Sequence, residues 1–139
     1  MFYMNSNIKS EVDRWLEQAE YDIEAARIVT EHGLYSWACF MCQQSSEKAV
    51  NAFLYSENVE EVWGHSLADL CEDAKDFDPS FEMIKSVAIL LDKYYFSTRY
   101  PSYLPGGTSI NAYSEDESLK AIEISQEVLS FVRGRIYGD

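Results

Sequence analysis

Arg99 shares a helical face with Ala88, Leu91 and Tyr95, so the spacing predicts a guanidinium among core-facing apolar side chains. Arginine does not lose its proton at any ordinary pH, and a partly buried one needs carboxylate or phosphate partners. The chemistry open to it is therefore a structural ion pair or the binding of an anion.

Two carboxylates interrupt apolar seams elsewhere. Asp22 lies between Trp15, Ala19 and Ala26, and Glu47 breaks the seam of Phe40, Gln43, Val50 and Leu54. Either is expected to reach Arg99, as a register-fixing ion pair or as part of a binding site, and the residues leave both open. Gln43 to Glu47 and Gln44 to Lys48 are i,i+4 pairs, so residues 43–48 form a dense polar patch. A solvated helix face is the expectation for Lys48, whereas Gln43 and Glu47 have apolar neighbours and are better binding candidates. His65 precedes a helix-capping serine, where packing or a backbone hydrogen bond is its ordinary role. Acid-base work is the alternative there, and for His32 at a helix end.

The elements carrying these groups are marked by caps and breakers. Ser10-Glu11-Val12-Asp13 resembles a capping box and Gly33 is a left-handed stop. Between them Val12, Trp15, Leu16, Ala19, Ile23, Ala26 and Val29 form one stripe, which predicts a long first helix. A second helix is expected from Leu34 to about Ser56, apolar on two sides and antiparallel to the first. Ser66 is expected to cap a third helix and Asp78-Pro79 to open a fourth, with Phe81, Ile84, Val87, Ala88, Leu91 and Tyr95 facing inward as far as Pro101. Residues 101–113 read as a long irregular loop. Ser114-Glu115-Asp116-Glu117 then opens a last helix that buries Leu119, Ile122, Val128, Leu129 and Val132 and ends at Gly134. The expected architecture is all-α, an up-and-down bundle of four or five helices. It forms one domain over residues 1–139 with its core at about 11–135.

Composition narrows the function. With 24 acidic against 11 basic residues the net charge is −13, which disfavours general binding of polyanions, DNA included, by the isolated chain. Cys39, Cys42 and Cys71 lack companion ligands at metal spacing and read as buried thiols, so neither a metal, a disulfide nor a cofactor is expected. No apolar run approaches the roughly 20 residues of a membrane span, and the N-terminus lacks signal character, so the expectation is a cytoplasmic protein without membrane contact.

Several segments together resemble the HEPN domain family. They are Ala19-x-x-Asp22, Gly33-Leu34-Tyr35-x-x-Ala38, Cys42-Gln43-Gln44-Ser45-Ser46-Glu47-Lys48-Ala49, His65-Ser66-Leu67-x-x-Leu70 and Thr98-Arg99-Tyr100-Pro101, and the resemblance covers roughly residues 11 to 135. The resemblance implies a helical bundle of the nucleotidyltransferase substrate-binding-subunit type that commonly dimerises. It also implies a minimal nucleotidyltransferase as partner in a toxin–antitoxin-like pair, with a nucleotide or RNA as ligand. Many relatives are metal-independent ribonucleases with an arginine followed, after four to six residues, by a histidine. Arg99 matches the arginine, but the histidine positions hold Leu104, Pro105 and Gly106.

The expectation is accordingly a phosphate-binding or partner-docking subunit that uses Arg99 and Tyr100, with Asp22, Gln43, Glu47, Lys48 and His65 as further site residues. The alternatives are a ribonuclease toxin using Arg99 with His65 or Glu47, and a purely structural dimerisation bundle burying Trp37, Phe40 and Tyr94 between subunits.

Overall fold

A computed structural model describes residues 4–138 and is helical throughout, with no strand among the described residues. The elements are α1 (Ser6–Glu31), α2 (Tyr35–Ser56), α3 (Leu67–Lys75), α4 (Phe81–Ala88), a 3₁₀ segment at Ile89–Tyr94, a short 3₁₀ turn at Pro101–Tyr103, the single-turn α5 (Ser109–Ala112) and α6 (Glu115–Tyr137). Five helices of two or more turns form the expected bundle, and α5 is an addition.

Helix α1 starts four residues before the capping box read from sequence. Asn5, not Ser10, is its N-cap, and the Asn5 side chain accepts from the Ile8 N–H at 2.8 Å. Gly33 takes a φ of +78°, a conformation that costs glycine little, and turns the chain directly into α2. Small residues at Ala38, Cys39, Cys42, Ser45, Ser46, Ala49 and Ala52 let neighbouring helices approach α2 closely, which is why it is buried on more than one side. The Ser45 hydroxyl donates across this contact to the Ala19 carbonyl at 2.7 Å. Phe53 packs on Phe81 at 4.4 Å between ring centroids, and Phe81 on Phe131 at 5.1 Å, joining α2, α4 and α6.

The stretch after α4 differs most from expectation. The α-helix stops at Ala88 and the chain continues as 3₁₀ helix to Tyr94. Its period of three residues buries Ala88, Leu91 and Tyr94 in succession, not Leu91 and Tyr95. Tyr94 is thus a core residue rather than part of a dimer surface. Tyr95 and Arg99 rotate to the margin of the core, and Thr98 takes the buried place, its hydroxyl donating to the Tyr94 carbonyl.

Further corrections are local. Asp78 closes the turn before α4 by accepting from the Ser80 N–H and hydroxyl, so Ser80 is the residue flanking the helix. Residues 101–113 contain the 3₁₀ turn and α5 and are not structureless. Helix α6 runs through Gly134 to Tyr137 and leaves Leu119 exposed, because the buried face is set by Ser118, Ala121, Ile124, Ser125, Val128, Leu129 and Val132. Its N-cap is as expected, with Ser114 Oγ accepting from the Glu117 N–H.

Candidate anion-binding site

Arg99 follows the 3₁₀ segment by one turn, so Tyr95 and Phe96 stand four and three residues before it, beneath its side chain. The guanidinium carbon lies 4.2 Å from the ring centroid of Phe40, 4.9 Å from Tyr95, 5.0 Å from Tyr100 and 5.9 Å from Phe96. Such contacts favour a cation in a partly dry place. Nε and Nη2 both donate to the Tyr95 carbonyl, at 2.9 and 2.5 Å. Among the described residues no carboxylate pairs with Arg99, which corrects the expected ion pair with Asp22 or Glu47.

Both carboxylates are engaged elsewhere. Asp22 on α1 takes Lys48 of α2 at 2.5 Å and the Gln18 amide at 3.1 Å, a pair whose side chains are only 16% and 24% exposed. Lys48 is thus a helix-to-helix tie rather than a solvated lysine. Glu47, 9% exposed at its side chain, accepts from His65 Nδ1 at 2.7 Å on one oxygen, and from the Gln44 and Gln43 amides at 3.2 and 3.3 Å on the other. The fully buried Gln43 also donates to the His65 carbonyl at 2.9 Å, so α2 holds both the ring and the backbone of His65.

His65 is the link to Arg99. Its ring stacks on Tyr95 with centroids 4.7 Å apart and planes 16° from parallel, and the same tyrosine ring touches the guanidinium. His65, Ser66, Asp92, Tyr95 and Phe96 line a cleft of about 300 Å³. Asp92 is not an open acid in that cleft. Its carboxylate accepts from the Leu67 and Ala68 N–H groups at 2.6 and 3.1 Å and from the Ser66 hydroxyl at 3.3 Å, at the positive end of α3.

The structure therefore brings His65 and Arg99 to the ring of Tyr95, with Gln43 and Glu47 holding His65 and Tyr100 against the guanidinium, and separates off Asp22 and Lys48. Sequence reasoning passed over Tyr95, Phe96 and Asp92 as site residues. The signal for the first two was the run of aromatic residues one helical turn before the arginine. Phe96 and Tyr103 stack at 4.9 Å, and with Tyr100 they leave an exposed aromatic surface beside the guanidinium. The three thiols lie in the core, where burial pushes each up to about 12. Among the described residues no three His, Cys, Asp or Glu side chains cluster in a way that would hold a metal ion.

The sequence matches the HEPN domain family over residues 12–135. This chain belongs to the HEPN family. Solved structures share its fold. The protein TT1696 from Thermus thermophilus is 36% identical, with a TM-score of 0.82 over 89% of this chain and 97% of that one. ST0689, described as an archaeal HEPN homologue, is 34% identical with a TM-score of 0.75, covering 90% and 97%. A HEPN domain protein from Thermotoga maritima is 29% identical with a TM-score of 0.71, covering 88% and 97%. No curated protein matches the chain. In this HEPN chain no described helix is long and apolar enough to cross a membrane.

Proposed function

We propose that this HEPN protein is a phosphate-binding subunit that takes a nucleotide, or the phosphate of a short single-stranded RNA, at Arg99. It would act as a homodimer beside a minimal nucleotidyltransferase in a cytoplasmic toxin–antitoxin-like pair. The observation that supports the reading is the state of Arg99: a partly buried guanidinium that has aromatic rings and one carbonyl for company but, among the described residues, no carboxylate. Its remaining N–H donors match the planar fork that binds phosphate. The exposed rings of Phe96, Tyr100 and Tyr103 supply faces on which a base would stack. The net charge of −13 favours a ligand with few phosphates over a long polymer.

The test is a calorimetric titration with adenosine 5′-monophosphate and with a short single-stranded RNA, on the native chain and on Arg99→Ala. The reading expects binding that Arg99→Ala weakens by about 10- to 100-fold, as removal of a charge-assisted hydrogen bond does, with the RNA recovered intact. Cleaved RNA, or growth arrest on expression that Arg99→Ala relieves, would replace this reading with the ribonuclease one. Absence of binding by either ligand would leave only the structural dimer.

A further inference from the structure

Glu47 is an unusual use of a buried carboxylate. Three N–H groups converge on it, from Gln43, Gln44 and His65, and the group it orients is an imidazole whose own side chain is 57% exposed. A buried acid held this way costs desolvation and needs its partners satisfied. An exposed histidine needs no such frame merely to sit on a surface. The frame fixes two things. With Nδ1 committed to Glu47, Nε2 is left as the ring nitrogen with no partner among the described residues. With the His65 carbonyl tied to Gln43 and the ring stacked on Tyr95, the imidazole is held beside the ring that also touches Arg99.

We infer that His65 is the second half of the Arg99 phosphate site and that a phosphate binds there with uptake of one proton. This rests on the phosphate-binding reading of Arg99. As the phosphate enters the cleft, Nε2 takes a proton from solvent and donates it as a hydrogen bond to a phosphate oxygen, while Nδ1–H continues to donate to Glu47. No bond in the ligand is broken. Arg99 supplies a fixed positive charge and His65 a charge that appears on binding, balanced by Glu47 behind it. Glu47 is thus a positioning residue, and Gln43 holds the backbone that carries the ring. Asp92 and Tyr95 are the other titratable groups lining the cleft with His65, and Arg99 reaches it only through the shared Tyr95 ring. Asp92 has its oxygens engaged by the start of α3, so it does not compete for the proton.

The probe is adenosine 5′-monophosphate, titrated calorimetrically at constant pH near 7 in buffers of different ionisation enthalpy, so that the heat reports protons exchanged with buffer. For the native chain the expected result is proton uptake and an affinity that falls as pH rises. His65→Gln, at a mostly exposed position, is expected to bind about tenfold more weakly and to show no uptake. Glu47→Gln keeps a hydrogen-bond acceptor but not the negative charge, and is expected to reduce the uptake. His32→Gln serves as the control and is expected to behave as native. If binding depends on Arg99 but uptake and affinity are unchanged in His65→Gln, the inference is overturned while the Arg99 site stands. If neither adenosine 5′-monophosphate nor inorganic phosphate binds the native chain, both are overturned.

Discussion

Lys48 and Arg99 are both partly buried cations in the same small bundle, and they are treated in opposite ways. Lys48 is given a carboxylate: Asp22 reaches it at 2.5 Å from the neighbouring helix, and the Gln18 amide occupies the other oxygen of that acid. Arg99 is given four aromatic rings and a backbone carbonyl. The first arrangement is complete and ties α1 to α2. The second holds the charge in position and, among the described residues, gives it no counter-charge. In a domain with more than twice as many acids as bases, a partly buried cation with no acidic partner among the described residues supports the proposed anion site.

Glu47 and Lys48 repeat the contrast at adjacent positions of α2. Lys48 ends in a closed pair, whereas Glu47 holds Nδ1 of His65, whose ring lines an open cleft. Substitution at Glu47 is the most costly way to break this comparison. Glu47→Ala leaves one N–H of the buried Gln43 amide and the Nδ1 of His65 without their acceptor and is expected to cost about 2–3 kcal/mol of stability, read by urea unfolding. A loss below about 0.5 kcal/mol would mean that the frame around His65 does not hold.

Asp78 sharpens the comparison from the closed side. Burial would raise its pKa, but the Ser80 hydroxyl and N–H and the Arg135 guanidinium outweigh that and hold the carboxyl below its ordinary range. A carboxylate whose folded pKa is lowered contributes stability above its unfolded value of about 3.9, and that stability is lost as pH falls through the folded value. Asp78→Asn is therefore expected to lose about 1–2 kcal/mol at pH 6 and to converge with the native chain as pH falls through the folded value of Asp78. Parallel curves across that range would contradict the assignment. The smallest effect is expected at Phe40, the ring nearest to the guanidinium. Phe40→Leu keeps apolar bulk but removes the π face, and should weaken binding of adenosine 5′-monophosphate by about two- to fivefold through a less well held arginine. An unchanged affinity would remove the rings from the account.

Much of this was legible in the chain because local rules govern it. Gly33, Ser66 and Ser114 act at the helix boundaries as their types require, and the stripes on α1 and α2 follow the period of 3.6. The stretch after Ala88 was not legible, since a stripe read at 3.6 residues per turn selects Tyr95 and Arg99, whereas the 3₁₀ segment selects Tyr94 and the turn after it buries Thr98. Arg99, His65, Gln43 and Glu47 each stood out as polar residues in awkward places. Their pairing did not, because it depends on where the segment before α3 crosses α2, a contact 18 to 22 residues apart in sequence. For the same reason the acids assigned to Arg99 turned out to have nearer partners in Lys48 and His65.

The most direct test exchanges the two cations in turn: Lys48→Met and Arg99→Met, each measured for unfolding free energy and for affinity toward adenosine 5′-monophosphate. Lys48→Met is expected to lose about 1–3 kcal/mol of stability, with affinity unchanged, because it strands Asp22. Arg99→Met is expected to stay within about 0.5 kcal/mol of native stability and to lose binding about 10- to 100-fold. An Arg99→Met protein as destabilised as Lys48→Met, with native affinity, would contradict the account and make Arg99 a structural residue.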